Sequence, residues 1–195
     1  MRNGGFDVVL GNPPYVPKGK VGYKVLGLTT ADTPDIYAPM TERAAALCAP
    51  AGRLAMILPI SAQFSGDFKS LREVLAGRFP ARWVSTFSRN PAALFDAGLG
   101  VRSTIISAGP ASEELTYVTR THRWVETYRP ALFEALRYTP LPAEVVTATA
   151  SWPRTHNDNT AALIQKMLKA APGRLGSTVR KRGTEHQLGM VGVQW

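Results

Sequence analysis

An α/β fold is predicted for this chain of 195 residues by three features of its first half. Short apolar runs recur there, stretches with helical start signals separate them, and Gly, Pro and Asn mark the junctions. Strands that alternate with helices build a parallel sheet with helices on both faces, so a three-layer arrangement is expected.

Residues 6–10 (FDVVL) form an apolar run stopped by Gly11, Asn12 and two prolines, which reads as a buried strand ending in a turn. The stretch 16–33 is rich in Gly and Lys and shows no apolar periodicity, which predicts a mobile loop. Thr33-Pro34-Asp35 then combines a hydroxyl cap, a proline at the first helical position and an acid at the positive dipole end. The helix it starts should run to about Cys48, where Pro50-Ala51-Gly52 follows. Further strands are expected at 53–58, 82–87 and 101–107, with a helix at 68–76.

Beyond Gly109 the pattern weakens. A strand at 115–121 and a helix at 131–138 are expected among Pro130, Pro140, Pro142 and Pro153, which punctuate the region as a connector would. Residues 160–171 read as an amphipathic helix, with Ala161, Ile164 and Leu168 on one side and Gln165, Lys166 and Lys169 on the other. The expected division is 1–110 for the sheet domain, 111–150 for a connector and 151–195 for the opening of a second domain.

Composition removes several classes of function. With 45% apolar and 19% charged residues, and Gly and Pro spread along the length, the chain is neither disordered nor fibrous. Its longest apolar stretch, 54–60, is far too short for a bilayer, and the N-terminus lacks a signal-peptide layout, so a cytoplasmic protein without a membrane span is expected. The one cysteine, Cys48, lies among Ala and Leu at helical spacing and reads as a packed thiol, which leaves no disulfide framework. His122, His156 and His186 lack ligand spacing, so no metal site is expected. A net charge of +9, spread through both halves, suits a polyanionic partner.

The segment Asn12-Pro13-Pro14-Tyr15 can be read as a rigid turn. Its position directly after an apolar strand places it instead at the carboxyl edge of an α/β sheet, where ligands bind in open sheets. With the residues around it, from Phe6 to Val16, it resembles motif IV of the amino-methyltransferases, above all the N6-adenine DNA methyltransferases of restriction-modification systems. Asp35-Ile36-Tyr37 resembles motif V, Leu58-Pro59-Ile60-Ser61 motif VI and Ala93-Leu94-Phe95 motif VIII, all in the expected order. The resemblance covers about half the chain and implies a partial Rossmann-like methyltransferase sheet, from the motif IV strand onward, with a C-terminal extension that opens a target-recognition domain.

That resemblance also implies a mechanism. An exocyclic amine of an aromatic base is a poor nucleophile because its lone pair is delocalised into the ring. The side-chain oxygen of Asn12 and the carbonyl of Pro13 would accept the two N–H protons, localise the pair and aim it at the methyl group of S-adenosylmethionine. Pro14 stiffens the loop without adding a competing donor. The adenine of double-stranded DNA must first be flipped out, at a cost of a few kcal/mol. Tyr15 is placed to stack on one face of the base, and stacking contributes about 1 to 3 kcal/mol per base. Phe95 is the family's candidate for the other face, or else packs on the core from a turn. Lys18, Lys20 and Lys24 either steady flanking phosphates or lie in a solvated loop, and Arg180-Lys181-Arg182 is either exposed charge or a DNA contact.

Enzymes of this kind hold the methyl donor mainly on a Gly-rich loop after the first strand, and that loop is absent here. The cofactor-binding residues are therefore unassigned, and the chain is expected to be a fragment, completed by an upstream segment or a separate subunit. Two alternatives stay open: methylation of a protein glutamine amide at N5, which uses the same four-residue loop, and an inactive, truncated DNA-binding remnant.

Overall fold

The computed structural model describes residues 4–95 and 101–170. Among them β1 (Phe6–Gly11), β2 (Cys48–Pro59), β3 (Ala81–Phe87), β4 (Ser103–Gly109), β5 (Leu115–His122) and β6 (Thr139–Pro140) form one sheet in the order β1-β2-β4-β3-β5-β6. The α/β class agrees with expectation, whereas the all-parallel sheet does not. β1 is parallel to β2 and β3 to β5, but β4 runs antiparallel to both its neighbours. A parallel return requires a crossover of a dozen or more residues, usually helical, and the described part of the β3–β4 connection holds no helix.

Helices α1 (Tyr37–Leu47), α2 (Ser61–Phe64) and α3 (Lys69–Arg78) follow the first strands. Because strand side chains alternate, Leu54, Met56 and Leu58 of β2 share a face with Val84 of β3 and Ile106 of β4. They form one core with Tyr37, Ala38 and Ala45 of α1 and Leu71 and Leu75 of α3. Full burial of each such aliphatic chain contributes about 1.5 to 3 kcal/mol. The opposite face carries a smaller cluster of Phe87, Ala92, Leu94, Trp124 and Leu132, packed on Ile57 and Ile105.

Three expectations of element placement change. The helix predicted to begin at Thr33 begins at Tyr37, because residues 34–36 are engaged elsewhere: Pro34 accepts from the Lys18 amide at 2.7 Å and the Ile36 amide donates to Val16 at 3.0 Å. The Thr33 hydroxyl turns back to the Thr30 carbonyl instead of capping. Residues 131–138 are not an α-helix; the 3-10 turn Glu126–Ala131 leads into further turns, with the Leu132 and Leu136 amides each bonded only three residues back, to Arg129 and Phe133. The stretch 111–150, expected as a connector, supplies β5 and β6 to the same sheet, where Val118 and Leu141 are buried in the core and Val146 of α4 (Ala143–Thr149) packs on it. Its prolines stand at strand ends and turns, where they interrupt no ladder bond.

β1 also departs from expectation. It is an edge strand, and Phe6, Val8 and Leu10 are 51%, 55% and 72% exposed. Val9 alone packs toward the α1 core, so the other three project from the opposite face of the sheet. Helix α5 (Asp158–Ala170) matches the predicted amphipathic element, with Ala161 buried and Ile164 and Leu168 half-buried. Arg180, Lys181, Arg182 and His186 lie outside the described residues.

A buried polar latch joins the sheet domain to the segment that precedes α5. The Arg72 guanidinium donates to the carbonyls of Ala62, Ser65 and Ala150 at 2.7–2.9 Å, and no carboxylate pairs with it among the described residues. Burial pushes its pKa down to about 10. Gln63 donates to Trp152 at 2.7 Å and accepts from Thr86 at 2.8 Å, which seats the fully buried Trp152 in the core. Ala150 is held at φ 49°, a left-handed conformation uncommon for a residue with a side chain.

Arg72→Met is expected to lower the unfolding free energy by roughly 3 kcal/mol or more, since three buried carbonyls lose their donor at about 1 to 3 kcal/mol each; an unchanged denaturant midpoint would count against the latch. His122 supplies a pH-dependent prediction. Burial first, and then the Arg120 charge, hold its pKa below the ordinary 6.5, and its Nε2 has no partner. The unfolded chain therefore takes up the proton before the folded one, so stability is intact above pH 6.5 and falls as pH drops below it. Thermal melts between pH 8 and 5.5 should show this fall, and His122→Gln should flatten it.

Candidate active site

The site is built where β1 ends. A Cβ at Gly11 would meet the Met56 sulfur at 2.7 Å, so the glycine leaves room for the end of that flexible side chain where β1 leaves the sheet. Asn12 emerges exposed, Pro13 is buried and Pro14 exposed. Proline fixes φ at two successive positions and donates no N–H, so the loop holds its carbonyls in place at little entropic cost. No described residue hydrogen-bonds the Asn12 amide or donates a backbone N–H to the Pro13 carbonyl.

Tyr15 is anchored at its far end. Its hydroxyl donates to the Ile57 carbonyl of β2 at 3.0 Å, and its ring meets Tyr37 edge-on at 6.2 Å. Tyr37 in turn stacks on Phe68 at 4.7 Å and pairs its hydroxyl with Ser61 at 3.0 Å. Burial raises the Tyr15 phenol to about 12 and raises Tyr37 as well, so both are neutral hydrogen-bonding groups near neutral pH. Segments predicted separately, 12–15, 35–37 and 58–61, are thus joined through Tyr15, Tyr37 and Ser61. The supporting role of the Ile57 carbonyl had no sequence signal, because any residue presents one.

The loop expected to be mobile is tied down along much of its length. Besides its backbone pairing with 34–36, the Glu42 carboxylate accepts from the amides of Thr29 and Thr30 and from the Thr30 hydroxyl at 2.7–3.0 Å. Burial alone raises the Glu42 pKa, but the bonds from Thr30 and Thr29 outweigh it and leave the carboxyl below its usual value. Lys18 donates to the Ala31 carbonyl at 2.5 Å and lies 3.4 Å from Asp32, so its ammonium is already engaged within the loop. Lys20, in the 3-10 turn Lys18–Lys20, and Lys24 are exposed.

Phe95 is 45% exposed. The segment that leads to it is fixed by Arg129, which donates to the carbonyls of Ala93 and Leu94 at 3.0 and 2.9 Å while paired with Glu126. Leu94 and Ala92 anchor the same segment in the second core. No ring contact joins Phe95 to Tyr15 among the described residues. Arg129 lies 34 residues beyond Phe95, and nothing local in the sequence marks it as the clamp. Among the described residues, no group of three or more His, Cys, Asp or Glu is arranged to hold a metal ion, and no helix is long and apolar enough to cross a membrane.

Residues 1–91 match the family described as the Eco57I restriction-modification methylase, the type the motif resembles. No curated protein matches the chain in sequence. Among solved structures, the DrdV–DNA complex is similar at 14% identity with a TM-score of 0.56, over 74% of this chain and 18% of that one. A nuclease-deletion mutant of the type ISP restriction-modification enzyme LlaGI, bound to a DNA substrate mimic, is similar at 12% identity and TM-score 0.55, over 78% and 18%. A type I restriction-modification assembly is similar at 15% identity and TM-score 0.54, over 86% and 43%. The chain spans less than half the length of each of these, and the likeness establishes a shared fold.

Tyr15→Phe is expected to lower stability by about 1 kcal/mol through loss of the bond to Ile57, while it keeps the ring. Urea unfolding checks this, and an unchanged midpoint would show that the hydroxyl does not anchor the loop.

Proposed function

We propose that this chain, whose first 91 residues are of the Eco57I restriction-modification methylase type, carries the target-base half of an N6-adenine DNA methyltransferase in a restriction-modification system. The observation that carries the reading is the pair of unengaged acceptors on Asn12 and Pro13, held on a proline-stiffened loop at the carboxyl end of β1 beside the anchored ring of Tyr15. Two fixed acceptors that meet an amine's two protons stabilise the positive charge that develops on nitrogen as it attacks, and they need no strong base. Tyr15, locked at its hydroxyl and edge, offers a wall for a flipped base at little ordering cost. Phe95, on its clamped segment, offers the second wall. Lys20 stands free for a flanking phosphate, whereas Lys18 acts through the loop it ties.

S-adenosylmethionine supplies the methyl group in this chemistry. The loop after β1, built of prolines without N–H groups, serves the target amine in this reading and not the donor. The exposed Phe6, Val8 and Leu10 on the uncovered edge strand support a further layer there, contributed by an upstream segment or a separate subunit that holds the donor. Residues 151–195 open the target-recognition domain in this reading, the protein works in the cytoplasm, and its macromolecular partner is double-stranded DNA.

The test is transfer of a radiolabelled methyl group from S-adenosylmethionine to duplex DNA, by this chain and by its reading frame extended upstream. From the extended frame, label is expected on adenine N6, with Asn12→Ala lowering the rate by roughly 100-fold or more, as loss of one fixed stabilising group does elsewhere. Label on a protein glutamine, or full activity in Asn12→Ala, would sink the proposal.

A further inference from the structure

Arg154 and Phe64 meet at the carboxyl edge of the sheet, and the start of β4 sets Arg102 at the same edge. The Ile60 amide donates to the Arg102 carbonyl at 2.9 Å, which sets Arg102 at the start of β4, next to the end of β2. The Arg154 guanidinium crosses from the other side: it donates to the Thr121 hydroxyl of β5 at 2.8 Å and lies 5.8 Å from the centre of the Phe64 ring. Phe64 is 43% exposed. Burial first, and then the nearby Arg102 charge, hold the Arg154 pKa below its ordinary value. Neither arginine has an ion-pair partner among the described residues. Two guanidinium groups held close without a carboxylate repel each other, and an anion between them removes that cost.

We infer that Arg102 and Arg154, the latter braced on Phe64 and Thr121, form a binding site for a backbone phosphate of the DNA whose base enters the Asn12 loop. This rests on the methyltransferase reading above. Neighbouring strands lie about 4.8 Å apart, so β4 and β5 stand roughly 10 and 20 Å across the sheet from β1. One DNA strand rises about 3.4 Å per phosphate, so the site takes a phosphate about three to six nucleotides from the flipped base. Planar guanidinium groups suit phosphate oxygens, and stacking on an aromatic ring fixes the plane of one fork in advance.

The experiment measures affinity for a fluorescent DNA duplex against salt concentration by anisotropy. Arg102→Ala and Arg154→Gln are expected to weaken binding several-fold at low salt and to reduce the slope of log affinity against log salt by about 0.9 each, one phosphate contact. Arg43→Ala, the same charge change on exposed α1, should leave the slope unchanged. Arg102 is exposed, and its side chain makes no recorded hydrogen bond, so its variant should fold even if Arg154→Gln does not. Equal slopes for Arg102→Ala and Arg43→Ala would overturn the inference. So would no duplex binding by the wild-type chain, or competition by polyglutamate that matches DNA and disappears in Arg102→Ala. Methyl transfer is scored separately, with the reading frame extended upstream: a reduced slope in Arg102→Ala with no adenine methylation by the extended frame would refute the methyltransferase reading and leave the phosphate site standing.

Discussion

Strand β2 is seated by the burial of Leu54, Met56 and Leu58, and the candidate site hangs from it. These side chains are nearly or wholly inaccessible to water, and each contributes on the order of 2 kcal/mol to holding the strand against its helices. β2 gives β1 its ladder, sets the Met56 sulfur against Gly11, offers the Ile57 carbonyl to Tyr15, and leads into Ile60 and Ser61, which bond Arg102 and Tyr37. A shift of β2 by one residue would exchange its two faces and undo all of these contacts together.

Polar interactions then do what apolar packing cannot, which is to choose directions. Buried hydrogen bonds are modest in net energy, yet each unmade one costs about 1 to 3 kcal/mol, so they penalise every arrangement but one. Arg72 and Gln63 select the path of residues 150–152, Arg129 selects the path of 92–95, and Glu42 with Lys18 selects the path of the long loop. All three devices bond main-chain groups to a side chain distant in sequence. These segments are therefore positioned largely by side chains from elsewhere in the sequence.

The surface shows the complementary pattern. Apolar side chains are left exposed at β1, and Arg102 and Arg154, which have no ion-pair partner among the described residues, stand further along the same sheet edge. An uncovered apolar edge strand invites a protein layer, whereas paired guanidinium groups beside an aromatic ring invite a phosphate. In the proposed reading the two features divide the edge between a protein neighbour and a nucleic-acid one, with the Asn12 loop near the first and Arg102 and Arg154 toward the second.

What the sequence determined by itself is local: apolar runs at 6–10, 53–58 and 82–87, the helices after the first two, and the four-residue loop after the first run. Periodicity and turn chemistry act between neighbours in the chain, so these can be read without a fold. Tertiary structure alone decided that β4 runs antiparallel, that 111–150 belongs to the sheet, that Thr33 gives up its cap to loop pairing, and that Lys18 is engaged. It also brought Arg102 and Arg154 together across 52 residues and Arg129 to the carbonyls of Ala93 and Leu94. Those outcomes depend on which groups compete for the same carbonyl, cation or face once the chain is compact, and that competition has no signature in local sequence.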